Sequence, residues 1–446
     1  MAFKHWVRSQ LPMARAVALV ALLIIRPSSG AAQSAATRGP LVVGPRSHVV
    51  VMEYEAWFGP NAVTFQGAAA VPRLQSADMQ AAGGGYDSAD PRIIKQHVEW
   101  LEHLGVDAAI AEITNNVSCI FDSEWFVEQY LQNSNGCPAL RPGYQQIRDN
   151  TGNLYPAWSK LDTPLKLIPM LGGIDANVLF KDLDGQTAFE KEVAYFGGLM
   201  RQYPDRNVIY AGKPLMLIYL GAAQDPVRSD QPLWVQLREF LASHPQIGRQ
   251  YTFRMVAGFL DSQPALWATP GTAHEPVRID PQFGFWSWVD RLKPQCPMAL
   301  CPYFPSFNQI GSRVENFTVS IATAGQDGWG CPDPTARPYC ADASLRFGTD
   351  RSYATLDSFM RYAQELDPIF LIIHQFNELI PPDEGFDADS TDDIEPTNLW
   401  GDSALDAVRE RIASYRQLLP TVTNYGEPPR RSSRGSLRAW AARGKP

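Results

Sequence analysis

The feature that most constrains the fold of this chain is a set of eight short apolar runs, rich in β-branched and aromatic residues, that recur along its 446 residues. The runs lie at residues 48–54, 106–113, 165–171, 214–220, 253–260, 283–288, 317–324 and 369–376. Continuous hydrophobicity, as in residues 370–373, is typical of strands that are buried on both faces of a parallel sheet. The sequence therefore predicts eight buried parallel strands.

Amphipathic helical patterns separate these runs. The first pattern has a clear start at Asp90 and Pro91, which offer a capping side chain and a first-turn proline, and it stops at Gly105. Similar patterns occupy residues 188–203, 233–243, 355–366 and 403–418. Alternating strands and helices with a final helix favour an α/β fold of the closed (β/α)8 TIM-barrel type. A doubly wound sheet is disfavoured because no glycine-rich dinucleotide fingerprint follows the first strand.

One barrel over residues 40–420 accounts for the apolar pattern, and the 45% hydrophobic content is enough for a large core. The long connections lie at residues 59–85, 115–160 and 291–340. We expect these segments to be loops that decorate the C-terminal rim of the barrel, where such folds carry their active sites.

Both ends of the chain are expected to lie outside the barrel. Residues 1–32 begin with basic residues, continue with an apolar run too short to span a bilayer and end in small residues, as in a cleaved signal peptide. Residues 424–446 are basic and rich in Ser, Gly and Pro, which predicts a disordered tail. We therefore expect a secreted or periplasmic protein without a membrane span, most simply a monomer.

Charge and cysteine content narrow the functional classes. A formal net charge of −8 argues against a nucleic-acid partner, which needs a dense basic surface. The six cysteines suit an oxidising compartment, and three couples are close in sequence: Cys119 with Cys137, Cys296 with Cys301, and Cys331 with Cys340. Fifteen pairings are possible, so local disulfides are a preference. A zinc site is the rival, but CxxC pairs and nearby histidine clusters are lacking.

Acidic and aromatic residues dominate the ends of the predicted strands. Glu53 and Glu55 end the first strand, and Glu112 ends the second. Carboxylates donate and accept protons in glycosidic cleavage, and aromatic faces stack on sugar rings. We expect a sugar substrate to contact residues at this rim: Tyr54, Trp57, Tyr86, Glu112, Tyr219, Trp286, Asp327, His374, Asn377 and Glu395.

The end of the last strand is the most specific signal. A buried run is followed at once by His374, Gln375, Asn377 and Glu378. Charged groups so close to a buried strand are costly unless they are paired or used. We interpret Glu378 as the key catalytic carboxylate, with a helix cap or an arginine partner as its structural alternative.

These residues resemble a motif of the endo-α-mannosidase-like glycoside hydrolases of family 99 and related bacterial polysaccharide-locus proteins. That motif runs Asn-Glu-Trp-His-Glu-Gly, followed at a distance by Ile-Glu. Here Asn377-Glu378 matches its start, Glu384-Gly385 its second glutamate, and Ile394-Glu395 its end, whereas Leu379 replaces Trp and three extra residues separate the two glutamates. Two further segments are similar at lower specificity: residues 85–107, which include His97, and residues 212–214.

The resemblance implies a (β/α)8 enzyme that cleaves an α-mannosidic bond with retention and without a cofactor or metal. It implies that Glu378 acts as base toward the 2-hydroxyl of the sugar and Glu384 as acid. The three-residue insertion leaves Glu112, Asp327 and Glu395 as alternative acids. Competing hypotheses are a non-catalytic carbohydrate-binding barrel and, more remotely, a lyase or transferase that uses the same rim.

Overall fold

A computed structural model describes residues 39–60, 71–81, 85–113, 142–172, 182–183, 186–219, 233–257, 283–287, 309–310, 313–319, 321, 353–377, 394–398 and 400–418. The expected signal peptide, the basic tail and all six cysteines lie outside these residues.

The eight predicted strands are all present and form the wall of an α/β barrel. They are β2 (Val49–Glu55), β3 (Ala108–Glu112), β4 (Lys166–Gly172), β8 (Lys213–Tyr219), β9 (Thr252–Ala257), β10 (Phe283–Ser287), β13 (Asn316–Val319) and β14 (Phe370–Ile373). Each pairs in parallel with its neighbour in the order β13-β14-β2-β3-β4-β8-β9-β10. The two ends of this sheet, β10 and β13, approach with Cα atoms within 8 Å.

The remaining strands are short. At the amino-terminal end of the wall, β1 (Leu41–Val43) pairs with β7 (Val208–Tyr210), which turns back antiparallel onto β8. Two hairpins lie in connections: β5 (Asp182–Leu183) with β6 (Gln186–Thr187), and β11 (Gln309–Ile310) with β12 (Arg313–Val314).

Seven helices in the described residues surround the wall: α1 (Pro91–Leu104), α2 (Pro142–Lys160), α3 (Ala188–Gln202), α4 (Leu233–Ser243), α5 (Pro245–Gln250), α6 (Ala354–Leu366) and α7 (Ser403–Leu418). The predicted limits of α1 are confirmed, because the Asp90 side chain accepts a hydrogen bond from Arg92 N and Gly105 ends the helix at φ 80°. None of the helices in the described ranges is both long and apolar enough to cross a membrane.

The prediction of a loop over residues 115–160 is wrong for its last part, which forms α2. Helix propensity does not predict this helix, because it contains Gly152 and Pro156, which are poor helix formers. Tertiary packing decides instead. The buried face of α2 has helical spacing: Ile147, Leu154, Tyr155 and Trp158.

Side chains of the wall alternate between two cores. On β2, Val49 and Val51 point into the barrel, whereas Val50 and Met52 pack against the helices. Because the same alternation holds on β3, β4, β8 and β14, the sequence position of a residue on a strand fixes which core it joins. Polar residues on the interior rows near the C-terminal ends of the strands must therefore lie at the mouth of the barrel.

Candidate active site

The mouth of the barrel is lined first by acids from two neighbouring strands. Glu53 and Glu55 continue the interior row of β2, and Glu112 continues that of β3. Glu55 and Glu112 are direct partners in the β2–β3 register. Parallel pairing thus places their side chains next to each other at the carboxyl ends of both strands.

These three residues form a compact group, here named the glutamate cluster. One carboxylate oxygen from each of Glu53, Glu55 and Glu112 lies within 4.8 Å of the others, and the residues are only 1%, 1% and 6% exposed. Buried like charges repel, so the cluster is stable when protons, a cation or hydrogen-bond donors share its charge. Within the described part of the chain, it is the group whose donors and spacing could hold a metal ion.

His374 supports one member of the cluster. It follows β14 on the interior row, is buried, and its Nδ1 hydrogen-bonds Glu53 Oε2. The backbone N–H of Gln375 donates to the same oxygen at 3.3 Å. Gln375 has φ 54°, a left-handed conformation that is uncommon for a residue other than glycine. The His374 ring and the Gln375 backbone N–H thus bind the same carboxylate oxygen of Glu53.

Asn377 fixes the end of β2 from the other side. Its Oδ1 accepts from Glu55 N at 2.9 Å, and its Nδ2 donates to Glu55 O at 2.8 Å. The second proton of Nδ2 is directed to Tyr86 Oη at 2.9 Å. Asn377 is fully buried, and its side-chain amide therefore holds the backbone beneath the glutamate cluster in one position.

Behind this amide lies a buried acid. Glu395 accepts from the Tyr86 hydroxyl through Oε2 at 2.9 Å, and its Oε1 lies 3.1 Å from His97 Nε2. The other ring nitrogen of His97 lies 2.8 Å from the Tyr54 hydroxyl. We name Tyr54, Tyr86, His97, Asn377 and Glu395 the rear network. All five side chains are nearly inaccessible to solvent.

Burial keeps the two tyrosines of the rear network protonated. Burial, and then the nearby Glu395 carboxylate, raise the pKa of both Tyr54 and Tyr86 well above the ordinary value. Both hydroxyls keep their protons, and Tyr86 donates to Oε2 of Glu395. Nε2 of His97 faces the other oxygen of Glu395, so a proton on this nitrogen is the second donor to that carboxylate.

A further acid, Glu192 of α3, contacts the end of β4 at Gly172. Burial raises the pKa of Glu192 to about 8, although its hydrogen bond from the Gly172 backbone N–H opposes this shift. That N–H donates to Oε2 at 3.2 Å, and Oε1 has no hydrogen-bond partner among the described residues. The sequence analysis missed Glu192. Its signal was an acid on the apolar face of a helix, beside Phe189 and Phe196.

The structure divides the predicted site residues into groups by location. Those on interior rows at the mouth are Glu112, Tyr219 and His374. Trp286 lies deeper, in the apolar core inside the barrel. Those in the rear network are Tyr54, Tyr86, Asn377 and Glu395. Trp57 follows β2 and is 7% exposed. Glu378, Glu384 and Asp327 lie outside the described residues.

Three aromatic residues expected to contact a sugar are at most 1% exposed in this structure: Tyr54, Tyr86 and Trp286. Trp286 is 1% exposed and packs on Phe370, with ring centroids 4.7 Å apart. Tyr54 is fully buried and faces the helix layer, where it meets Trp158. Tyr54 faces the helices because side chains alternate along a strand and its neighbours Glu53 and Glu55 point into the barrel.

Sequence reasoning noted Glu53 and Glu55 as acids of the rim but assigned them no role, because the resembling family offered no counterpart for them. Their signal was spacing: two acids at alternate positions on an otherwise apolar strand share one face. His97 was likewise present only as part of a similar segment. Its position among apolar residues of α1 indicated a buried polar partner.

Comparison with protein-family models found no match, and comparison with curated proteins found none either. Similar solved structures include a GH99 endo-alpha-mannosidase from Bacteroides thetaiotaomicron in complex with bis-tris-propane. It is 15% identical, with 84% of this chain and 99% of that chain covered and a TM-score of 0.44. A second structure of the GH99 enzyme from that organism is 14% identical, with coverages of 84% and 99% and a TM-score of 0.38.

A structure described as a glycoside hydrolase-like protein is 10% identical, with 84% of this chain and 98% of that chain covered and a TM-score of 0.35. The chain is thus similar to structures from the group of enzymes that its sequence resembles.

Proposed function

We propose that this chain is an exported glycoside hydrolase that cleaves an α-linked polysaccharide, mannan-like or another exopolysaccharide, with paired carboxylates. The observation that carries the proposal is the glutamate cluster. Three buried glutamates converge at the mouth of the barrel with carboxylate oxygens within 4.8 Å of one another. Burying three acids costs folding free energy, and the chemistry of glycosidic cleavage is a reason to retain them.

Cleavage of a glycosidic bond needs one group that protonates the leaving oxygen and one that activates the attacking group. Retaining enzymes hold their two carboxyl groups about 5 to 5.5 Å apart, and inverting enzymes about 6.5 to 9.5 Å apart. By resemblance, Glu378 is the base toward the 2-hydroxyl of the sugar, and Glu384 is the acid.

Two of the alternative acids, Glu112 and Glu395, differ in their surroundings. Glu395 is unsuited to proton transfer with a substrate, because both of its oxygens have partners in the rear network and its side chain is 0% exposed. Glu112 remains suited, since it lies at the mouth and belongs to the cluster. The acid is therefore Glu384 or, if the insertion displaces Glu384, Glu112 or Asp327.

A carbohydrate-binding barrel without catalysis is the competing function. Such a protein can bind a sugar through aromatic stacking and single hydrogen-bond acceptors, so it has no need of three buried acids in one cluster, whose mutual repulsion costs folding free energy. The glutamate cluster favours the hydrolase. Export through an N-terminal signal and a monomeric state are further parts of the proposal, supported by the sequence features described above.

Incubation with α-mannans, α-glucans and bacterial exopolysaccharides, with new reducing ends and the anomer of the product as readouts, tests this function. We expect hydrolysis of one class with retention. Glu378→Gln should lower kcat by about 10² to 10⁴ without unfolding the protein. Glu365→Gln is the matched control, because Glu365 is exposed on α6. Binding without hydrolysis by the wild type would leave the carbohydrate-binding barrel as the function.

A further inference from the structure

We infer that the rear network is a positioning device for the mouth carboxylates, with Tyr86 as the residue that couples it to them. The inference rests on the proposed function, since it assigns these residues a part in the same reaction. None of them needs to touch the substrate. They act through the backbone of Glu55 and through Asn377, which precedes the proposed base in the chain.

The first step is the restraint at Asn377. A side-chain amide has two donor protons and one acceptor oxygen that is commonly used once. Here one proton and the oxygen bind the backbone of Glu55, and the other proton binds Tyr86. Rotating the amide by half a turn would break every one of these bonds. Asn377 thus has one orientation, and Glu378 is joined to it by one peptide bond.

The second step is that Tyr86 transmits the restraint. Its hydroxyl oxygen accepts from Asn377, and its proton is donated to Glu395, each at 2.9 Å. The ring is held between Phe58 and His97, with centroids 5.4 Å and 5.0 Å away. The hydroxyl is therefore a single bridging atom between the mouth and the acid behind it.

The third step is the anchor. Glu395 is held by its side chain, through Tyr86 and His97, and by its backbone N–H, which donates to Phe376 O at 2.8 Å. A buried carboxylate that loses a donor is strongly destabilised, because water cannot replace the bond. Loss of either donor to Glu395 would therefore cost free energy, and this cost keeps Tyr86 in place and, through Tyr86, Asn377.

A barrel of this size does not require such a chain of bonds for packing alone, since apolar contacts fill both of its cores. A positioning role and a purely structural role differ in what they predict. Positioning errors lower kcat more than they raise KM, because they act on the geometry of the transition state. A structural role changes the unfolding temperature and leaves the kinetics of the folded enzyme unchanged.

The test is Tyr86→Phe, which removes the bridging oxygen and keeps the ring. Tyr155→Phe is the matched control: Tyr155 is equally buried, and its hydroxyl has no hydrogen-bond partner among the described residues. Assays run well below the lowest Tm. We expect Tyr86→Phe to lower kcat by about 10- to 100-fold with little change in KM. Tyr155→Phe should keep the kinetics of the wild type.

Hydrogen exchange gives a readout that needs no substrate. Amides of residues 53–58 and 374–377 should exchange faster in Tyr86→Phe than in Tyr155→Phe. If the wild type hydrolyses no polysaccharide, the proposed function fails, and hydrogen exchange alone decides the positioning role. Equal exchange and equal kcat in the two variants would overturn it.

If Tyr86→Phe does not fold, Glu395→Gln is the second variant that tests the positioning role. The amide keeps the volume, removes the buried charge and puts a donor where one of the two partners already donates. We expect the same selective fall in kcat. Wild-type kcat in folded Glu395→Gln would refute the inference.

Discussion

Asn377 and Glu55 are 322 residues apart, and the side-chain amide of the first bonds both backbone groups of the second, at 2.9 and 2.8 Å. This pair joins the exits of β14 and β2, the last and first strands of the wall. The mouth of the barrel is thus fixed where the first and last strands of the wall meet.

Asn377→Ala should destabilise the protein by about 1–3 kcal/mol, because a buried N–H and C=O of Glu55 lose their partners. Urea unfolding measures this free energy. The control is Asn398→Ala, since Asn398 accepts a single exposed bond from Val71 N and should cost below about 1 kcal/mol. Equal losses in the two variants would show that the amide bonds of Asn377 are not a special restraint.

The catalytic acid can be identified by comparing the rates of each variant on substrates with different leaving groups. An enzyme without its acid still cleaves aryl glycosides whose leaving group needs no proton, but it cleaves polysaccharide slowly. We expect Glu384→Gln to show this pattern, and Glu112→Gln to slow both substrates alike. The reverse result would transfer the acid role to Glu112, the cluster member that is register partner to Glu55.

The barrel could be predicted from the sequence because its signal is periodic and repeated. All eight strands were found, since burial on both faces gives continuous apolar runs such as residues 370–373. The helix α2 was not, because Gly152 and Pro156 mask it and long-range packing supplies its stability.

The site was only partly predictable for a different reason. The location of Glu112 and His374 at the mouth was predicted correctly, because acids and imidazoles at strand ends stand out in the local sequence. The bond between Tyr86 and Glu395 spans 309 residues, and nothing in the local sequence of either residue encodes its partner. The assignments of Glu378 and Glu384 stay predictions.

The backbone of Gly172 lies so close to that of Tyr219 that no side chain larger than hydrogen fits at this position. It has φ 128°, and a Cβ there would lie 2.2 Å from Tyr219 O. We expect Gly172→Ala to lower the unfolding free energy by more than the roughly 1–2 kcal/mol of a left-handed conformation alone. Gly212→Ala is the control, with φ 80° and nothing within 4 Å. Equal unfolding free energies for the two variants would contradict the steric account.

The last prediction concerns Glu192 and the pH dependence of stability. In the unfolded chain this carboxyl releases its proton near its ordinary pKa of 4.5, whereas burial keeps it protonated up to about 8 in the folded protein. Between these values the folded state binds more protons, so its contribution lowers stability as pH rises. The slope is at most about 1.4 kcal/mol per pH unit.

Glu192→Gln imitates the protonated acid and cannot ionise, so it should remove this slope. The variant should match the wild type near pH 5 and exceed it in unfolding free energy near pH 8, as measured by urea unfolding across that range. Glu365→Gln, at an exposed site, should keep the pH profile of the wild type. Parallel profiles for Glu192→Gln and the wild type would mean that Glu192 is ionised in the folded protein. The Gly172 N–H would then outweigh burial at this carboxyl.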